Sequence, residues 1–195
     1  MVRKTADQRR KEGLAAARRL IARDGISEAS VRRVAEEAGM STGSLRHIFP
    51  SHDDLFVAVL GECFSLQGEK IGQILNEARQ GRREVFDACV EAISLVLPLT
   101  EKTLAESLSH LAILAGGGRS PALEKARRQA AEKLDYLCES IGRFSEKPEA
   151  FDAVELRLLI DGLMVRGIER GPEDLVPLLK KALVRMGIPR SNPRR

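Results

Sequence analysis

The chain contains no tryptophan, one tyrosine and few runs of β-branched residues. Strands draw on those side chains, so a sheet-built protein is excluded in favour of helices, which the abundance of Ala, Leu, Glu and Arg favours. Cysteine is scarce as well. Cys63, Cys89 and Cys138 are odd in number, far apart and set inside helical patterns, which suits reduced thiols and excludes a disulfide framework or a zinc site. No apolar stretch reaches the roughly 18 residues of a membrane span, and the opening MVRKTADQRR lacks the apolar centre of a secretory signal. A cytoplasmic protein with no membrane partner is expected. Gly116-Gly117-Gly118 is followed by no Gly-Lys-Ser/Thr, so it is a hinge or a bare turn and not a phosphate loop. With no Ser/His/Asp order, no H-E-x-x-H and no acidic metal cluster, a helical enzyme has little to work with, and neither a cofactor nor a metal is implied.

What is present is unevenly spread. The formal net charge is +4, yet residues 1–50 hold eleven Lys and Arg against six Asp and Glu, while the remainder, twenty-one against twenty-two, is nearly neutral. A basic end on a neutral body is the footprint of a nucleic-acid-binding head, although basic residues also solvate ordinary helix faces. Arg3 and Lys4, at the basic start, can follow a phosphate backbone or enter a minor groove.

The segment 30–49, SVRRVAEEAGMSTGSLRHIF, resolves the ambiguity. Ser30 caps a first helix, in which Val31, Val34, Ala35 and Ala38 recur at helical spacing and make one apolar face. Gly39, tolerant of positive φ, stops it, and Ser41 caps a second helix over 42–48. The intervening turn of about three to four residues has the length found in helix-turn-helix pairs. In the second helix Leu45, Ile48 and Phe49 face inward, leaving Thr42, Gly43, Ser44, Arg46 and His47 outward. That set is small, polar and cationic: it permits close approach to a backbone, offers N–H groups near Ser41 to a phosphate, and lets Arg46 and His47 reach base edges or phosphates. Arg32 and Arg33 begin the first helix, against its dipole, which suits phosphate contact or an exposed pair equally.

From about residue 9 to residue 60 the chain resembles the N-terminal DNA-binding domain of TetR-family transcriptional regulators. The likeness lies in LAAARRLIARDG, the Ser-Val-x-x-Val-Ala helix, Ala-Gly-Met-Ser, Gly-Ser-Leu and Phe-Pro-Ser-His-Asp-Asp-Leu. Many members carry Tyr where this chain has Arg46 and Lys where it has His52, positions that commonly contact phosphate. The resemblance implies that Arg46 takes a phosphate or reads guanine, and that His52 adds charge only when protonated. GSLRHIF further resembles a branch related to choline-responsive repressors. The residue reading and the resemblance together give Arg3, Lys4, Ser30, Arg32, Arg33, Ser41, Thr42, Gly43, Ser44, Arg46, His47 and His52 as the expected DNA-binding set.

Beyond Pro50, Ser51 caps a long fourth helix whose apolar stripe runs from Leu55 nearly to Gln80. Gly61, Gly68 and Gly72 weaken it by about 1 kcal/mol each relative to Ala and predict a bend. The helices over 82–97 and 100–115 carry broad apolar faces. Phe64, Phe86, Cys89, Val90, Ile93, Leu108 and Leu111 are the candidates for an effector pocket there, though such faces are also plain core. A helix follows over 122–144. The last two, about 149–170 and 173–186, form a hairpin with more apolar surface than a small domain covers. Leu158, Gly162, Val165, Leu175, Leu179, Ala182 and Met186 are the candidates for a four-helix interface with a second copy, against packing within one subunit. LLIDGLMVRGI also resembles the dimer-helix signature of that branch. The prolines and three arginines of 188–195 predict a disordered tail.

The expectation is an all-α protein of about nine helices: a three-helix helix-turn-helix domain (1–50), a helical effector-binding and dimerisation domain (51–187) and the tail. The function expected is that of a homodimeric repressor on a palindromic double-stranded DNA operator, released by a small-molecule effector of unknown identity. The competing form is a DNA-binding regulator without an effector, controlled by a protein partner or by abundance.

Overall fold

Helix boundaries follow the local punctuation closely. The computed structural model describes residues 5–24, 28–115 and 121–190; Arg3, Lys4, the triple glycine and the last five residues lie outside them. Among the described residues nine α-helices run in order: α1 (Ala6–Asp24), α2 (Val31–Glu37), α3 (Thr42–Ile48), α4 (His52–Arg79), α5 (Val85–Ser94), α6 (Glu101–Ala115), α7 (Pro121–Gly142), α8 (Ala153–Arg170) and α9 (Leu175–Arg185), with a 3-10 turn at Pro148–Ala150. Among the described residues there is no strand.

Caps explain the starts. Thr5 and Gln8 exchange reciprocal side-chain bonds to each other's backbone N–H at 2.9 and 3.2 Å, and Ser51 and Asp54 do the same at 3.1 Å each way. These are capping boxes that satisfy N–H groups the first turn leaves orphaned. The helix expected from 149 starts instead at Ala153, because Asp152 accepts from the N–H groups of Val154 and Glu155 and Pro148 supports only a 3-10 turn. Pro177 is accommodated in the first turn of α9, where no N–H bond is lost.

The described residues fall into two compact units, one drawn from Met1–Cys63 and Leu104–Gln129, the other from Phe64–Thr103 and Ala130–Arg195. The first unit buries Leu14, Leu20, Ile21, Val34, Leu45 and Phe49 almost completely, where α1, α2 and α3 meet. The second centres on Cys89, Ile93, Ile141, Ile160, Leu175 and Leu179, with α9 packed against α5 and α8. Burial pushes the Cys89 and Cys138 thiols up to about 12, so both are inert as nucleophiles at neutral pH. Ile188 is part of this core at 2% exposure, and its N–H donates to the Leu183 carbonyl. The chain therefore stays packed at a position expected to begin a loose tail, because Gly187 turns it back over the end of α9.

Candidate nucleic-acid interface

The α2–α3 pair is built by local chemistry. Gly39 sits at φ +64°, and two bonds close the end of α2: Gly39 N–H to the Glu36 carbonyl at 3.1 Å, and Met40 N–H to the Ala35 carbonyl at 2.9 Å. This is the Schellman arrangement, which a residue bearing a Cβ enters only with strain. Ser30 and Ser41 then cap the two helices, accepting from the backbone N–H of Arg33 and Ser44 at 3.3 and 3.1 Å. Neither helix is long enough to be stable alone, so their angle is held by burial: Leu45 is 0% and Phe49 1% exposed. Gly13 of α1 permits this approach, since a Cβ there would stand 2.9 Å from Leu45 Cδ1 and 3.3 Å from Phe49 Cε2. Gly13 escaped the sequence reading; a glycine inside an otherwise good helix was the available signal.

The outward side of α3 is narrower than its sequence suggested. Gly43, Arg46 and His47 are exposed, whereas Thr42 and Ser44 are half-buried, and the Ser44 hydroxyl is bonded to that of Ser41 at 2.9 Å. A Cβ at Gly43 would meet nothing within 4 Å. Its size therefore answers no packing need inside the head and leaves a low point on the presented surface.

Charge is allocated in a pattern that separates structural from presented arginines. Arg19 and Arg23 both bond Glu37, at 2.9 and 3.2 Å, tying α1 to the end of α2. Arg23 and Arg33 meet Asp24 at 2.9 and 2.6 Å, and Arg33 also bonds Glu28. Asp24 is held below the usual carboxylate range chiefly by the hydrogen bond from Arg23, and Glu37 chiefly by that from Arg19. Arg32 pairs with Glu36 at 3.1 Å on the open surface, and the Arg10 guanidinium lies 5.0 Å over the Phe49 ring. Of the two candidates at the start of α2, Arg33 is thus spent on holding α2 to the end of α1, while Arg32 is a weakly held surface pair. Arg46 differs from all of these. It is exposed on α3 and, among the described residues, makes no ion pair.

His52 stands at the start of α4, its ring edge-on to Phe56 with centroids 4.3 Å apart. Loss of solvent beside that ring lowers its pKa below the ordinary imidazole value, against smaller opposing effects from Asp53 and the Ala29 backbone. At neutral pH the ring offers a hydrogen bond and no charge.

The remaining candidates separate by unit. Phe86, Cys89, Val90 and Ile93 are buried in the core of the second unit, Leu108 and Leu111 are half-buried in the first, and the Phe64 side chain lies outside the described residues. A cavity of about 460 Å³ opens elsewhere in the second unit, between Gly68, Gly72 and Leu75 of α4 and Leu134, Leu137 and Ser140 of α7. None of the seven pocket candidates is among its described lining residues. The last hairpin divides likewise. Leu158 at 67%, Val165 at 41% and Gly162 are exposed on α8, Ala182 and Met186 are half-buried, and Leu175 and Leu179 are fully buried within the chain. Val154, Leu178 and Val184, outside the expected set, add exposed apolar surface.

Two short capped helices locked by a left-handed glycine, with an unpaired arginine presented from the second, define a helix-turn-helix DNA-binding head. Residues 14–59 match the family model of bacterial regulatory proteins of the tetR family. The chain is 26% identical over 167 residues to the HTH-type transcriptional regulator PksA of Bacillus subtilis (strain 168), spanning 83% of this chain and 80% of that protein. Among solved structures, a transcriptional regulator from Rhodococcus sp. Rha1 superposes with a TM-score of 0.73 at 27% identity, covering 91% of this chain and 95% of that one. A protein of Saccharomonospora viridis solved in complex with choline shares the fold at a TM-score of 0.72 and 21% identity, over 92% of this chain and 95% of that one. Residues 14–59 thus carry the DNA-binding domain of tetR-family regulatory proteins, and over most of its length the chain is similar to DNA-binding transcriptional regulators.

Proposed function

We propose that the protein is a homodimeric repressor whose two α3 helices enter successive major grooves of a palindromic operator, and that a small molecule bound in the helical body releases it. The observation that carries the reading is Arg46, exposed and unpaired on a helix held rigidly by its caps and by Leu45 and Phe49. Gly43 and His47 stand beside it as the low point and the second polar contact. Arg3, Lys4, Ser41 and Thr42 add phosphate contacts that set register in this reading, and Arg32 exchanges Glu36 for phosphate.

Dimerisation is supported by the apolar stripe Val154, Leu158, Gly162 and Val165 along α8, extended on α9 by Leu178 and Val184. Residues four apart on a helix share a face, so a second copy laid on that stripe makes a four-helix interface. Ala182 and Met186 lie at its margin. Release follows when effector binding favours a head separation that no longer matches the half-sites. The 460 Å³ cavity favours this version over a regulator with no effector, since it falls within the range of about 300–1,000 Å³ typical of ligand sites. In this reading the protein works in the cytoplasm, beside the chromosome.

The test combines mass in solution with DNA binding. The full chain is expected to sediment as a dimer and to select a palindromic duplex from a random pool; Leu158→Asp is expected to sediment as a folded monomer that binds the same duplex far more weakly. A wild-type monomer that retards no duplex at low salt overturns the reading.

A further inference from the structure

The cavity between α4 and α7 owes its existence to missing side chains. Gly68 and Gly72 lie one turn apart on the α4 face that lines it, and a Cβ built at either meets nothing within 4 Å. The bare α4 backbone thus forms one wall, and Leu75, Leu134 and Leu137 supply apolar cover on the others. Ser140 lies in the same wall. It is 2% exposed, and its Oγ has no hydrogen-bond partner in the structure. Buried hydroxyls ordinarily have a partner, so one that lines a cavity without a partner marks where a guest's polar atom would sit.

Charge and aromatic content restrict the guest. Glu69 and Glu132 are offset by Arg79 and Lys133, and all four are exposed at the rim. Tyr136 is the one aromatic among the described lining residues, and the Arg143 guanidinium already lies 6.0 Å from its ring centroid. Arg79 is likewise occupied with the Phe144 ring at 5.7 Å. A quaternary ammonium is recognised by several uncovered aromatic faces, and the described lining residues offer none of that kind.

We propose that this cavity takes an uncharged, largely apolar small molecule whose one hydrogen-bonding group meets Ser140 Oγ, and that it does not take a quaternary ammonium. Binding follows from the walls themselves; that the bound molecule acts as effector rests on the function proposed above.

The uncharged fluorophore N-phenyl-1-naphthylamine, apolar with a single N–H, is a direct probe in titrations of the full chain. Wild type is expected to give saturable emission at one site per chain. Gly72→Leu puts a bulky side chain on the bare wall, where a Cβ meets nothing within 4 Å, and is expected to weaken binding by about tenfold or more while keeping the helical circular dichroism of wild type and melting no lower. Ser140→Ala is expected to weaken it by about two- to tenfold, the net worth of one hydrogen bond. Millimolar choline is expected to leave the probe in place. No saturable binding, equal binding to a folded Gly72→Leu variant, or displacement by choline overturns the proposal. Anisotropy with the selected duplex separates the two inferences: probe bound in this pattern without DNA release upholds the site and refutes the effector role, whereas DNA binding with no probe binding refutes the site alone.

Discussion

Arg46→Ala isolates the DNA-reading step, because the structure gives that side chain no other task. It is exposed and makes no ion pair among the described residues, so its removal is expected to change folding stability by no more than about 0.5 kcal/mol. A bidentate arginine–guanine pair is worth about 1–3 kcal/mol, and a symmetric dimer carries two, so the loss is about 2–6 kcal/mol per operator. The low end is about a 30-fold weaker dissociation constant. A phosphate contact behaves differently: the substitution weakens all duplexes evenly and flattens the salt dependence by about one per head. Arg46→Lys distinguishes the two roles, since lysine keeps the charge and loses the planar fork. Fluorescence anisotropy on the selected duplex and on single-base variants, across a salt series, reads all of these. Unchanged isotherms for Arg46→Ala on every duplex would remove Arg46 from the interface and, with it, the main support for α3 as the reading helix.

Three further outcomes follow from the structure. His52→Lys places a permanent cation where the depressed imidazole pKa leaves a neutral ring, so it is expected to tighten DNA binding and steepen the salt slope by about one per head at pH 7.5. In wild type the unfolded chain takes up the His52 proton first as pH falls. The associated stability is therefore present above about pH 6.5 and declines below it, which urea titrations of wild type and His52→Ala at paired pH values will read. Gly167→Ala and Gly72→Ala should move stability in opposite directions. At Gly167 a Cβ stands 2.5 Å from Pro98 Cγ and 2.6 Å from Leu175 Cδ1, for a loss of about 1–3 kcal/mol, whereas at Gly72 the space is open and alanine gains about 0.5–1 kcal/mol of helix propensity in urea unfolding.

The three-helix head was legible from its residues because its signals act over three or four positions. Ser30 and Ser41 as caps and Gly39 as a left-handed stop are decided by the backbone groups next to them, and each stands in the structure as its spacing predicted. Helix number and order were readable for the same reason. Pairing among charged groups was not. Arg33 and Arg46 look alike along the chain, and only the return of α2 past the end of α1 commits Arg33 to Asp24 and Glu28 while leaving Arg46 presented. The apolar face of α5 was equally mute, since Phe86, Cys89, Val90 and Ile93 serve a core or a cavity with the same periodicity.

On α9 the ordering of apolar residues could not say which side faces in. Packing against α5 and α8 takes Leu175 and Leu179 inside and leaves Leu178 and Val184 out. The glycines of α4 carry the same lesson in reverse. Read along the chain, Gly68 and Gly72 signal local weakness, yet α4 continues through both as one 28-residue helix. Folding against α7 turns their missing side chains into a void. Local sequence thus determined where helices begin and end, because capping and φ preferences act between near neighbours. Which side chains are covered, which cations remain presented and where empty space survives were decided by tertiary structure, because those properties belong to pairs of surfaces distant in sequence.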